Sequence, residues 1–278
     1  KTPSEMLRSL VGSEMCIRDR CYKRGLKTVS VTDHDTTSGI DECEAAANKN
    51  GLDFIPGIEF GAKAIRGEIH ILGYFIDPTN HALQEVLSDL QEDRKTRAER
   101  MVALLCQTGT PLSWDRVSEL ARGGSVGRPH IAQALVEEGH ASHPKDAFDR
   151  LINWKAPAYV ARKLIQPKEA VDLINGSGGL AVLAHPLESR AKSGRREIYE
   201  LETTLASLVD FGIVGIEAYY GDYSNDQIER VITLASKYGL VPCGGSDYHA
   251  AGNPIEPEPG EIGPPVESIE LLKSLKPS

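Results

Sequence analysis

The chain has 278 residues, with 31 Lys and Arg against 40 Asp and Glu and a formal net charge of −9. That length supports one large domain, or one domain carrying an insertion. The acidic balance excludes a general duplex-binding surface, which rests on Lys and Arg contacts to phosphates. No apolar run approaches the roughly 20 residues of a membrane span, and no apolar signal core is legible near the start. The cysteines (Cys16, Cys21, Cys43, Cys106 and Cys243) are scattered without a C-x-x-C pair. They disfavour a disulfide framework or a Cys-type zinc site, and a reducing cytoplasm is the expected location.

Residues 1–20, "KTPSEMLRSLVGSEMCIRDR", show neither strand alternation nor a capped helix, and stand apart as an atypical segment. From Cys21 the pattern sharpens. "CYKRGLKTVSVTDHD" reads as a helix end, a glycine stop and a β-branched strand. "GIDECEAAANKNG" reads as a helix closed by Gly51. "LDFIPGIEFGA" reads as a strand with a turn, and "GEIHILGYFID" as another strand. Alternating strand and helix predicts an α/β layer or barrel. From Leu83 the apolar spacing of Leu83, Val86, Leu87, Leu90, Met101, Leu104 and Leu105 predicts a long amphipathic helix. "SWDRVSELA" and "PHIAQALVEEG" follow as shorter helices, which makes this stretch a helical insertion. Alternation resumes with the helix "QPKEAVDLINGSGG", the strand "LAVLAHP", another strand "VDFGIVGIEAYY", the helix "SNDQIERVITLASKYG" and a last strand, "LVPCGGSDYHA". A tail rich in Pro, Gly and Glu leads to a short final helix.

The chemistry gathers at the ends of the apolar segments. His34 follows "VSVTD", Glu59 follows "FIPGI", His70 lies in "EIHIL", His185 follows "LAVLA", and Asp247 and His249 follow "PCGGS". In a parallel barrel the strand C-termini meet on one face, so these six side chains would converge. A lone histidine is more often a satisfied core residue than a ligand, but six such residues at matching topological positions point to a metal centre. Mixed His and carboxylate donors suit Mn²⁺, Fe²⁺ or Zn²⁺. Paired ions of this kind activate water and stabilise the oxygens of phosphate ester displacement. No G-x-S-x-G elbow and no P-loop is present.

Taken in order, "TDHDT", "GIEF", "EIHILGY", "AHP" and "SDYH" resemble the PHP (polymerase and histidinol phosphatase) family of metal-dependent phosphoesterases. "GRPHIAQALVEEG" and "APAYVARK" resemble its branch acting on nucleoside 3',5'-bisphosphates and the 5' ends of short RNA. The resemblance implies a distorted (β/α)7, TIM-like PHP barrel with a helical insertion. The expected divisions are residues 1–20 apart, 21–82 and 161–278 as the barrel, and 83–160 as the insertion. It implies up to three divalent ions, Mn²⁺ foremost, with Zn²⁺, Fe²⁺ or Mg²⁺ as alternatives. Glu59 resembles the bridging carboxylate, shared with Asp247 at the first ion and with His70 and His185 at the second. His34 and His249 resemble ligands of the third. The family opens on a His-x-His strand, whereas residues 1–20 here contain no histidine. The segment reads as foreign to the family pattern, leaving a barrel without its first strand. The consequence expected is a weakened first ion, an intact second ion and slow turnover.

Arg128 and His130 are the expected substrate contacts outside the metal set. Arg128-Pro129-His130 opens a helix, and a helix N-terminus beside an arginine is a phosphate site. Of Arg94, Arg97 and Arg100, at least two are expected on a solvated face. His81, His140 and His143 read as surface loop residues. Asp33 or Asp35 is expected to orient an imidazole, and Glu217 to support the barrel end. The implied substrate is a nucleotide or a short single-stranded RNA, with no duplex, membrane or protein partner. Two alternatives stand beside it: a phosphatase for another small ester such as histidinol phosphate, and a non-catalytic metal- or nucleotide-binding module.

Overall fold

The computed structural model describes residues 4–7, 21–22, 24–65, 67–121, 124–187, 198–221, 223–248 and 257–277. The chain divides into two compact units, Lys1–Gln84 with Leu164–Ser278, and Glu85–Lys163. The first unit holds the strands β1 (Ser4–Leu7), β2 (Thr28–Val31), β3 (Asp53–Lys63), β4 (Glu68–Tyr74), β5 (Leu180–Leu183), β6 (Gly215–Tyr220) and β7 (Val241–Gly245). The helices in chain order are α1 (Ile40–Lys49), α2 (His81–Gln107), α3 (Trp114–Ala121), α4 (Arg128–Glu137), α5 (Pro144–Arg150), α6 (Pro167–Gly176), α7 (Ile198–Phe211), α8 (Asn225–Tyr238) and α9 (Val266–Leu275).

The strands form one seven-stranded sheet in chain order, and β1 comes back alongside β7, so the sheet curls into a distorted barrel. The barrel therefore has its first strand, contrary to the expectation for residues 1–20. Ser4–Leu7 pairs parallel to β2 in the register Ser4↔Thr28. Four residues are too few to show alternation. What makes them a strand is the open edge of β2, whose main-chain donors and acceptors need a partner.

The barrel also departs from an all-parallel arrangement. β4 runs antiparallel to both β3 and β5, while the other neighbouring pairs are parallel. The cause is the short link between Lys63 and Glu68, which can close a hairpin but not a crossover. "LDFIPGIEFGA" likewise contains no turn: Pro56 pairs with Val31 inside one continuous strand. Gly57 lets three chains meet there. A Cβ on it would lie 2.6 Å from Thr32 Cγ2 and 3.0 Å from the Gly73 carbonyl oxygen.

Alternation decides what fills the barrel. Ile55, Leu72, Tyr74, Leu180, Val182, Ala184, Val241 and Cys243 form one buried cluster with Ile269 and Leu272 of α9. These residues repeat every second position along their strands, so they share one sheet face. Glu59 and His70 continue the same parity beyond the apolar plug. "VDFGIVGIEAYY", expected as one strand, splits: its first residues, Val209-Asp210-Phe211, complete α7, and β6 starts at Gly215. At α8, Ser224 Oγ accepts from Gln227 N–H (3.3 Å) while Gln227 Oε1 accepts from Ser224 N–H (2.9 Å). This reciprocal cap satisfies two otherwise unpaired donors. Ser224→Ala is expected to lower stability by about 1 kcal/mol in urea denaturation.

The second unit has its own core, in which Met101, Val102 and Leu105 of α2 pack with Val117, Ile131, Leu135 and Ile152. Two histidines expected in loops have structural partners here. His143 caps α5, its Nδ1 accepting from Asp146 N–H at 3.1 Å, and His140 Nε2 sits 2.8 Å from the Pro111 carbonyl. His81 is the first residue of α2. Among the described residues, no helix is long and apolar enough to cross a membrane.

Candidate metal centre

Four of the six expected ligands come together at one end of the barrel. Glu59 is buried, and both its oxygens face imidazoles. Oε1 lies 2.6 Å from His70 Nδ1 and 3.3 Å from His185 Nε2, and Oε2 lies 3.5 Å from His34 Nδ1. His70 Nδ1 and His185 Nε2 are themselves 3.0 Å apart. The rings stack edge on: His34 to His70 at 4.7 Å and His70 to His185 at 4.8 Å between centroids.

Main-chain features aim these side chains. His34 bridges to Glu59 in parallel, with Asp35 N–H donating to the Glu59 carbonyl and Glu59 N–H to the Asp33 carbonyl. The antiparallel β4 brings His70 opposite Gly61, two positions beyond Glu59. His185 cannot reach the interior by alternation alone, because Ala184 already faces inward. Its φ of +24° breaks the alternation and turns the ring toward Glu59. Asp35 (φ +54°) and Asp247 (φ +49°) are also left-handed. Such residues cost energy and persist where surrounding contacts over-determine them, typically at functional sites.

Asp247 joins this end of the barrel through Tyr220, whose hydroxyl donates to Oδ2 at 3.0 Å. Its charge is felt at Glu217, whose carboxyl is pushed up to about 8, first by burial. His249 lies outside the described residues. Two further residues belong to the site. Glu68, which the sequence reading passed over, places Oε1 2.9 Å from His70 Nε2. A carboxylate on the outer nitrogen draws a ring proton to Nε2, the tautomer in which Nδ1 would turn its lone pair toward a cation in place of its 2.6 Å contact with Glu59. The signal was available: Glu68 lies two positions before His70, on the same strand face. Glu217, expected as barrel-end support, accepts the His185 main-chain N–H at 2.9 Å.

The donor set fits a divalent cation. Two donors about 2.1 Å from one ion, at octahedral or tetrahedral angles, lie about 3.0–3.4 Å apart. The His70–His185 and His185–Glu59 separations of 3.0 and 3.3 Å match this, and the 2.6 Å between Glu59 and His70 is that of a direct hydrogen bond. His34, Glu59 and His70 each place a ligand atom within 4.8 Å of the others. A carboxylate with donors on both oxygens is the geometry of a bridge between two ions.

In the second unit, Arg128 begins α4, with Gly127 as N-cap and Pro129 in the first turn. Its guanidinium lies over the rings of Phe148 (5.5 Å) and Tyr159 (6.0 Å). His130 Nδ1 accepts from Gly127 N–H at 3.1 Å, closing the cap. Arg94 and Arg97 are 8% and 6% exposed, which overturns the solvated face expected for them; Arg100 is exposed. Arg97 Nε donates to the Val160 carbonyl at 2.6 Å, and its guanidinium lies 5.9 Å from the Tyr159 ring. Burial pushes Arg97 down to about 10, and the charges of Arg128, Arg94 and Arg162 push the same way. So much positive charge in one neighbourhood is an anion-binding environment.

His130 gives a pH prediction. Burial holds its pKa below the ordinary histidine range. The unfolded chain therefore gains a proton below about pH 6.5 that the folded chain resists, and stability falls as pH drops through that window. His130→Asn is expected to flatten the dependence of the urea midpoint below about pH 6.5.

No family model matches the chain. A 3',5'-nucleoside bisphosphate phosphatase from Chromobacterium violaceum is 34% identical over 238 residues, covering 84% of this chain and 81% of its own length. The 5'-3' exoribonuclease Rnm of Salmonella typhimurium is 32% identical over 234 residues, covering 83% and 78%. A solved structure described as a metal-dependent phosphoesterase from Bifidobacterium adolescentis superposes with a TM-score of 0.89 at 26% identity, covering 100% and 99%. A distorted barrel with histidines around one carboxylate is thus the scaffold of a metal-dependent phosphoric ester hydrolase. The chain belongs to the PHP family of these phosphoesterases.

Proposed function

We propose that the chain removes the 3'-phosphate of nucleoside 3',5'-bisphosphates, trims short RNA from its 5' end, or does both, in the cytoplasm. The observation that carries this reading is Glu59 with His70 and His185 on one oxygen and His34 on the other. The two relatives named for nucleotide and RNA substrates span most of the chain. Glu59, His70 and His185 would hold one divalent ion, Glu59 and Asp247 another, and His34 with His249 would contribute to a third. Mn²⁺ suits the mixed nitrogen and oxygen donors. When bound, such ions supply Lewis acidity toward phosphoryl oxygens and lower the pKa of water.

The protein's own groups do the rest. Glu68 keeps His70 in the tautomer that presents Nδ1. Arg128 holds a substrate phosphate at the start of α4, where its guanidinium is steadied by two aromatic rings and the helix dipole favours an anion. His130 has Nδ1 committed to Gly127, so Nε2 is what it offers a substrate. The non-catalytic alternative draws on the lack of histidine in residues 1–20.

One experiment separates the readings: elemental analysis of the purified chain, with phosphate release from adenosine 3',5'-bisphosphate and from histidinol phosphate under Mn²⁺. Bound metal and slow release from the bisphosphate support the proposal, and Arg128→Met should then raise KM about tenfold or more. Release from histidinol phosphate alone assigns the other ester class. Bound metal with no release from either makes the chain a binding module.

A further inference from the structure

β6 carries a register shift. Glu217 pairs with Cys243, but Tyr219 pairs with Gly244 and Tyr220 with Gly245, so Ala218 is an extra residue without its own partner on β7. In a regular strand, residues three apart point to opposite faces. The bulge cancels one step of the alternation, so Glu217 and Tyr220 share a face. Cys243 and Gly245, their partners two apart on β7, share a face as well.

The two side chains act on different targets. Glu217 Oε2 accepts the main-chain N–H of His185 at 2.9 Å. The Tyr220 hydroxyl donates to Asp247 Oδ2 at 3.0 Å, and its ring lies 5.4 Å from the His185 ring. Both targets end a strand in a left-handed conformation, His185 at φ +24° and Asp247 at φ +49°. Neither is a glycine, so each needs outside contacts to stay there.

We infer that β6 is a positioning strand: its bulge turns Glu217 and Tyr220 to one face, where they hold His185 by its backbone and Asp247 by its carboxylate. The inference rests on the metal-binding reading above, in which His185 and Asp247 serve different ions. Neither Glu217 nor Tyr220 is a ligand in this arrangement. Each works through the residue it holds, as outer partners of metal ligands generally do.

The test uses the full chain and four proteins: the parent, Tyr220→Phe, Glu217→Leu and Glu217→Gln. Mn²⁺ binding is followed by electron paramagnetic resonance of the free ion. Exchange of the His185 amide proton is followed by NMR in the metal-free state. Tyr220→Phe and Glu217→Leu are each expected to weaken one class of Mn²⁺ site about 10- to 100-fold. Glu217→Gln keeps an acceptor oxygen and should stay within about twofold of the parent. The His185 amide should exchange at least about tenfold faster in Glu217→Leu and unchanged in Glu217→Gln. Unchanged Mn²⁺ affinity in Tyr220→Phe, which keeps the ring and the fold, overturns the inference. So does parental protection of the His185 amide in Glu217→Leu, or equal damage from Gln and Leu, which would mean that charge rather than the acceptor matters. A parent that binds no Mn²⁺ would refute the functional reading instead, and the amide measurement would still decide whether Glu217 holds His185.

Discussion

Glu59→Gln is expected to strip the chain of bound metal and to lower phosphate release on the order of 10³-fold, the scale of losing several kcal/mol of transition-state stabilisation. The glutamine keeps the volume and shape of the side chain, so a buried position that is 1% exposed stays filled. What changes is the chemistry of two atoms. Oε1 faces His70 and His185, and Oε2 faces His34. Gln replaces one acceptor by an NH₂ group, which donates and repels a cation, and it removes the negative charge that would offset the ions of the proposed site. Elemental analysis of the variant, beside its urea midpoint, checks the claim. Full metal content with a parental midpoint would show that Glu59 is not the bridge.

Gly244→Ala should be the most destabilising single methyl in the barrel. A Cβ at Gly244 would overlap the Tyr219 carbonyl oxygen, and would sit 2.7 Å from both the Tyr219 carbonyl carbon and its Cβ. The obstacle is mostly backbone in the middle of the sheet, so it cannot swing aside as a flexible side chain would. The expected cost is about 3 kcal/mol or more, the upper end of overpacking effects. Gly176→Ala is the control, since nothing lies within 4 Å of its added Cβ. Urea denaturation of the metal-free proteins gives both values. A Gly244→Ala midpoint close to the control would mean that the bulge on β6 yields easily.

Most of the centre was legible because its residues sit where apolar runs end: His34, Glu59, His70 and His185 each follow or interrupt a buried strand. The parts that were not legible depend on partners distant in sequence. β1 is a strand because β2 offers an edge, and nothing inside "SEML" says so. Arg94 and Arg97 form a charged row that reads as solvated, and their burial depends on groups such as Val160, 63 residues from Arg97. The end of α7 merges into β6 because only Gly212 marks the break, and the bulge at Ala218 leaves no trace in a short apolar run. The reversal of β4, by contrast, was readable in the short link before Glu68 and was obscured by the assumption of an all-parallel barrel.

That reversal also sets the order in which the centre can assemble. Glu59 and His70 lie on the two arms of one hairpin, and hairpins close in about 1–10 μs. The encounter of these two donors therefore needs only local chain motion. His185 must arrive from 115 residues beyond His70, across the whole of the second unit. Closing that span is slower, yet its thermodynamic burden is small. Loop entropy grows only with the logarithm of length, so excising residues 85–163, which shortens the span about threefold, would save only about 1 kcal/mol. A large insertion between the early pair and the late ligand is therefore nearly neutral for the barrel's stability, and its cost falls on the time the nascent chain spends with half a metal site exposed.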